Sequence, residues 1–264
     1  MGTQVDAVAT QGLDHGGEAS LIDAKGLHYR DLNEQVRAAI AEGCGRIRVT
    51  GVRGQRYLGA GLRGDLLIEV EGVPGNDLAA FMDGPRIVVR GNAQDGVCNT
   101  MNRGQVVVHG HAGDVLGYGM RGGALFVRGD VGYRVGIHMK EYKGQRPVLV
   151  AGGCAGDFLG EYMAGGVLAV LGLGRDARQP LVGDYCGTGM HGGVIFVRGQ
   201  ADPAHIVLDQ VALSSASQDD MALLTPYLEA FCQEFGCDVA ELMAESFFPL
   251  RPVSHRPYGS KYAP

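Results

Sequence analysis

The sequence predicts an all-β solenoid, a parallel β-helix, with a short N-terminal helix and a C-terminal helical segment followed by an extended tail. Three observations carry that prediction. Glycine supplies 44 of the 264 residues, about 17% where roughly 7% is usual. Short β-branched runs close on a glycine at Gly72, Gly91, Gly110, Gly129, Gly152, Gly172 and Gly199, at intervals of 19, 19, 19, 23, 20 and 27 residues. Between these runs lie about a dozen residues such as "HAGDVLGYGMRG", too rich in glycine for a helix. A unit of that size can complete one rectangular coil, and successive coils then pair as parallel strands ~4.8 Å apart. Glycine serves the corners, where positive φ is needed and a Cβ would clash.

The elements follow in chain order. Residues 1–20 carry no packing pattern and are expected to be mobile. Residues 21–44 are expected to be a capping segment. Within it "RDLNEQVRAAIAEG" reads as a helix, with Asp31 and Glu34 as a capping box, Leu32, Val36 and Ile40 on one face, and Gly43 as terminator. An open solenoid end must be covered, and this helix is placed to cover the first coil.

Residues 45–202 are the coils. The runs "LLIEVEG", "RIVVRG", "QVVVHG", "ALFVRG", "PVLVAG", "VLAVLG" and "VIFVRG" read as strands. Gly51, closing "RIRVTG", reads as an earlier and less regular turn. Three further columns hold the same register. Met82, Met101, Met120, Met139, Met163 and Met190 take one place in successive units, with Leu62 in the first. They are expected to be inward rungs, each flexible thioether filling a coil corner. A methionine stripe can also be a soft-metal box, but one per coil in equivalent places is what core stacking requires. Six residues before each stand Asn76, Asp95, Asp114, Tyr133, Asp157 and Asp184. The Asn and Asp members read as Asx-type turns that bond backbone N–H groups at a corner. A calcium ladder is the alternative, and the calcium-binding β-helix motif is missing. Three residues before each methionine stand Ala79, Cys98, Gly117, Gly136, Gly160 and Gly187, all small.

Residues 203–264 leave the pattern. "SQDDMALLTPYLEAFCQEFG" reads as a helix broken or bent near Pro226, and "CDVAELMAE" as a second helix with Asp238 and Glu241 as its box. The tail "FFPLRPVSHRPYGSKYAP" reads either as a strand-like arm on its own domain or as an arm gripping a partner subunit.

Chemistry is sparse in this sequence. No P-loop, H-E-x-x-H or G-x-S-x-G is present. "GAGLRG" and "GTGMHG" fall on the repeat register and are explained by the coil. His109, His138 and His191 lack a neighbouring nucleophile or ligand at useful spacing. The six cysteines are scattered, with Cys232 and Cys237 the one close pair, and are expected to be buried thiols. No catalytic, cofactor-binding or metal-binding residue is assigned. The net charge of −6 argues against nucleic acid or an anionic membrane as partner. No apolar run approaches a membrane span and no secretory signal is visible, so cytoplasm is the expected location. Where the interval grows to 23 residues, "GYRVGIHMKEYKGQRP" brings Arg134, His138, Lys140, Glu141 and Tyr142 to one region. That excursion is the candidate docking site, with a solvated loop as the bland reading. The 27-residue interval around "GLGRDARQPLVG" is a second excursion.

The stretches "GQRYLGAGLRG", "PGNDLAAFMDG", "GNAQDGVCNTMN", "GDVLGYGMRGG", "GDVGYRVGIHMKEY", "AGDFLGEYMAGGVLAVLGLG" and "GTGMHGGVIFVRG" closely resemble the GXGXG domain of glutamate synthase. More narrowly, the chain resembles the stand-alone third-domain subunit of that enzyme, over roughly residues 20 to 264. The resemblance implies a right-handed parallel β-helix with no catalytic residue and no cofactor of its own. It implies a scaffold that holds a glutaminase-like subunit against an FMN-dependent, iron–sulfur synthase subunit, for glutamate formation from glutamine and 2-oxoglutarate. FMN and the cluster would then sit on the partner. Related β-helix subunits belong to N-methylglutamate synthase, formylmethanofuran dehydrogenase and the formyltransferase/hydrolase complex of methylotrophs, and these remain the alternatives. A homo-oligomer is compatible with any of them.

Overall fold

The computed structural model describes residues 19–176, 178–200 and 202–256. Nine strands pair in parallel, each with the next in sequence. They are β1 (Ala19–Asp23), β2 (Arg46–Arg53), β3 (Leu67–Val73), β4 (Asp83–Val89), β5 (Arg103–Val108), β6 (Ala124–Val127), β7 (Val148–Ala151), β8 (Ala164–Val170) and β9 (Gly192–Arg198). From β2 to β9 the described connections are turns and bends. This is the parallel β-solenoid that the repeat predicts.

The register explains the strand sequences. Ile68, Ile87, Val106, Leu125, Leu149, Leu168 and Ile195 align strand to strand as one inward column. Val70, Val89, Val108, Val127, Ala151, Val170 and Val197 form a second. All are buried in one continuous core that also holds Leu62 and the six methionines of the repeat. Each buried methionine contributes on the order of 1.5–3 kcal/mol.

The outward faces differ along the solenoid. On β2 and β3 they are charged and paired, Arg46 with Glu69 and Arg48 with Glu71. From β4 onward Val88, Val107, Phe126, Val150, Ala169 and Phe196 form a second core beneath helix α2 (Gln218–Phe235). Strands buried on both faces read as unbroken apolar runs, while those with one wet face alternate. The contrast between "VVV" and "RIRV" is that difference. Arg86, at the margin, makes a two-pronged pair with Glu234 of α2 at 3.0 and 2.8 Å.

Both ends differ in detail from the sequence reading. β1 begins at Ala19, inside the segment expected to be mobile, and adds a first rung beside β2. It has no closing glycine, so the repeat register does not reveal it. The rest of residues 1–20 lies outside the described residues. Helix α1 (Tyr29–Ala41) buries Leu32, Val36 and Ala39. Its cap is His28, whose ring accepts from the Arg30 N–H, so Asp31 falls in the first turn and makes no box with Glu34. Gly51 lies inside β2 with left-handed φ 67, at an irregularity between Val49 and Val52.

α2 runs through Pro226 as one helix. Its Ser217–Asp220 capping box and left-handed Gly236 fix its ends, and burial of Leu224, Tyr227, Leu228 and Phe231 holds both halves on one surface. Thr225 Oγ1 donates to the Met221 carbonyl at 2.7 Å beside the proline. Helix α3 (Val239–Met243) is capped by Asp238 alone, which accepts from the Ala240 N–H. The tail forms β11 (Phe247–Pro252), antiparallel to β9 on one side and to β10 (Val211–Leu213) on the other. It therefore lies on its own domain and covers the edge of β9, with β10 as the outermost strand. Residues 257–264 of the tail lie outside the described residues.

Candidate functional site

The backbone between strands follows one rule in every coil. Three alternate residues, five, three and one before the methionine position, have left-handed φ. In one coil these are Arg134 (φ 55), Gly136 (φ 75) and His138 (φ 55). The alternation turns successive N–H groups in opposite directions. Arg134 and His138 donate to Asp157 O and Glu161 O of the next coil, at 2.9 and 3.0 Å, while Gly136 donates back to Leu116 O at 2.8 Å. No strand is needed for this ladder, and in this coil each of the three N–H groups finds a carbonyl.

The middle position faces the core, which is why it is small. A Cβ at Gly59, Gly136 or Gly160 would stand 2.4, 2.5 or 2.4 Å from the tip of Ile87, Leu168 or Ile195. The methionine methyls interlock in the same way at the following corner, reaching the space beside Gly104, Gly123, Gly166 and Gly193 of the next coil.

Three members of the aspartate column bond corner N–H groups, but across coils and not within a local turn, whereas Asp184, in the last coil, meets His205 Nδ1 at 2.6 Å instead. Asp95 accepts from the Asp114 N–H, Asp114 from that of Tyr133, and Asp157 from that of Asp184, at 2.8–2.9 Å. The sequence reading missed a parallel ladder in which Asn92, His111 and Asp130 accept from the N–H of His111, Asp130 and Cys154. The 19-residue recurrence of short acceptors was its one signal. Gly117, Gly136, Gly160 and Gly187 all hold left-handed φ at the middle position.

The outer left-handed positions face solvent, and in the later coils they carry large side chains. Phe158 and Tyr185 stack with centroids 4.9 Å apart, and His138 and Tyr162 stack at 5.3 Å, both pairs within 16° of parallel. Arg134 lies over Phe158 at 4.9 Å, and Tyr118 meets His138 edge-on at 5.7 Å. Arg134 also pairs with Glu161 at 3.5 Å. Tyr118, Tyr133 and Tyr185 are 42%, 54% and 57% exposed. The ring spacing follows the ~4.8 Å coil spacing. The result is a stacked aromatic and cationic face along one side of the solenoid.

The predicted docking residues divide between two structures. Arg134 and His138 belong to the regular coil and to this face. The excursion itself is a tight hairpin, in which Tyr142 and Gln145 exchange both backbone hydrogen bonds across left-handed Lys143 and Gly144. Glu141 pairs with Arg146 beside it at 2.8 Å, and Tyr142 sits between Arg121 and Lys143. Lys140 is exposed between the two. Sequence reasoning missed Tyr118, Phe158, Tyr162 and Tyr185, because their alignment depends on the coil register.

Burial pushes Cys154 up to about 11 and Cys186 up to about 12, so neither is a thiolate near neutral pH. Among the described residues no three His, Cys, Asp or Glu side chains are placed to hold a metal ion. No described helix is long and apolar enough to cross a membrane.

Residues 30–252 match the GXGXG motif family. The chain belongs to that family. It is also 45% identical over 258 residues to Uncharacterized protein MJ1350 of Methanocaldococcus jannaschii, covering 94% of this chain and 98% of that one. Among solved structures it resembles a chain of the formyltransferase/hydrolase complex (FhcABCD) from Methylorubrum extorquens, determined with methylofuran. That likeness has a TM-score of 0.60 at 20% identity, over 88% of this chain and 90% of the other, and it shows a shared fold.

Proposed function

We propose that this GXGXG chain is the scaffold subunit of a glutamate synthase-type complex and carries no catalytic group itself. It holds a glutaminase-like subunit against an FMN-dependent, iron–sulfur synthase subunit, so that ammonia released at one site reaches the other. The observation that carries the reading is the stacked outer face. Left-handed backbone costs an L-residue about 1–2 kcal/mol, and glycine would occupy these places freely. The chain nevertheless puts Arg134, His138, Phe158, Tyr162 and Tyr185 there. Strain retained at ring-bearing positions that are exposed (His138, Tyr185) or half-buried (Phe158, Tyr162) points to recognition. The face, with Lys140, Glu141 and Tyr142 beside it, is the docking surface in this proposal. The family match supports a scaffold role, and the likeness to a chain from a multi-subunit complex supports partner subunits in general.

The test is affinity capture of the tagged chain from its native cells. Copurification of a glutaminase-like chain and a flavoprotein, with glutamate formed from glutamine and 2-oxoglutarate, is the expected result. Capture of formyl-transfer subunits, or a product methylated at nitrogen, would move the assignment to the related complexes. A His138→Ala/Tyr185→Ala chain that remains folded should release its partner. Full retention by that variant would remove the docking assignment.

A further inference from the structure

Cys232 lies in the last turn of α2, and Cys237 follows the left-handed Gly236 that ends the helix. Their sulfurs stand 2.7 Å apart. The N–H groups of Gly236 and Cys237 both donate to the Cys232 carbonyl, at 2.8 and 3.2 Å, so the turn itself fixes the two residues face to face. Cys237 is partly exposed, whereas Cys44, Cys98, Cys154 and Cys186 are buried. We propose that Cys232 and Cys237 form a redox-modification site, closing to a reversible intramolecular disulfide by exchange with a low-molecular-weight disulfide.

The chemistry has two steps. The accessible Cys237, as thiolate, attacks one sulfur of the small disulfide and expels the first small thiolate, which takes up a proton. Cys232 then loses its proton and attacks Cys237 Sγ, expelling the second small thiol. Two protein thiols are oxidised by two electrons, and one small disulfide is reduced to two thiols. Burial, then the neighbouring Cys237, pushes the Cys232 thiol up to about 12. Closure therefore accelerates as pH rises, because the attacking species is the thiolate. The bond would tie the end of α2 to the start of α3. The α3 carbonyls of Glu241 and Leu242 accept from Arg198 of β9, so oxidation would tighten the cover over the outer sheet face.

The full chain is incubated with oxidised glutathione, quenched by alkylation and digested with a protease that cleaves after glutamate. The expected result is loss of two of the six alkylatable thiols. The fragments Ala230–Glu234 and Phe235–Glu241 should appear joined, and a reductant should separate them. Cys232→Ser should instead hold glutathione on Cys237, and Cys237→Ser should resist modification. Wild-type chain that keeps all its thiols, or that stays glutathionylated at Cys237 without closing, overturns the proposal.

Discussion

The interlock between small and large residues in the coil can be tested as a double-mutant cycle at Gly136 and Leu168. Gly136 has φ +75, and a Cβ there would stand 2.5 Å from Leu168 Cδ1, with no backbone atom nearer than 3.9 Å. Gly136→Ala thus meets one side-chain tip and one backbone penalty. Left-handed φ costs about 1–2 kcal/mol and overpacking typically about 1–3 kcal/mol, so the loss should be about 2–5 kcal/mol. Leu168→Val removes the offending tip and leaves a small void, worth about 1 kcal/mol. In the double variant the new methyl fills that void and only the backbone strain remains, about 1–2 kcal/mol. The backbone cost cancels, so the coupling should favour the pair by about 2–4 kcal/mol. The chain already contains such a pair. Ala79 is left-handed at φ 60, and the same register step places it opposite Val106, which lacks the longer tip. Urea unfolding followed by circular dichroism measures the four stabilities, provided the slopes agree. Losses that simply add to within about 0.5 kcal/mol would refute the interlock.

Other outcomes follow from the same geometry. Asp114→Ala leaves the solvent-accessible Tyr133 N–H without its 2.8 Å acceptor and should cost about 0.5–1.5 kcal/mol, whereas Asp114→Asn, which keeps the carbonyl oxygen, should lose much less. Equal losses in urea would argue that charge, not acceptance, matters there. Arg86→Ala strips the mostly buried Glu234 of its two-pronged partner, so α2 should loosen, and amide exchange along it should quicken before the coil strands respond. Asp220 gives a pH prediction. Burial pushes its carboxyl up, but hydrogen bonds from the Ser217 N–H and hydroxyl and from Arg251 outweigh this and hold it below the usual range. A depressed folded-state pKa means the stabilisation is full above the unfolded value, about 3.9, and is lost as pH falls through the folded one. The melting-temperature gap between wild type and Asp220→Asn should close on acidification, and a constant gap would contradict this.

How much could be read without a structure depends on what each residue answers to. The coil, the methionine rungs and the small middle position repeat in the sequence because each coil poses the same local problem. A corner needs left-handed backbone, and a core of fixed width needs one flexible filler per turn. Such constraints recur every 19 residues in the regular coils and leave columns that can be counted. Helix α2 also declared itself, because Ser217 and Gly236 mark its ends by local hydrogen bonding. Pro226 misled because its penalty is local while the apolar contacts that outweigh it are not.

Other features were decided between coils or across the chain, where sequence leaves no column. β1 and β11 belong to the sheet through pairing with distant strands, without the closing glycine that marks a coil. The aspartates pointed to corner N–H groups, but only stacking chose the N–H of the next coil over the local one. The docking residues clustered in sequence around the hairpin, yet the structure sends Arg134 and His138 to the aromatic face and leaves Tyr142 on the turn. The sequence by itself therefore determined the solenoid, its period and its core. The tertiary structure alone decided which outer side chains align, because alignment depends on coil spacing and register, quantities that no single segment contains.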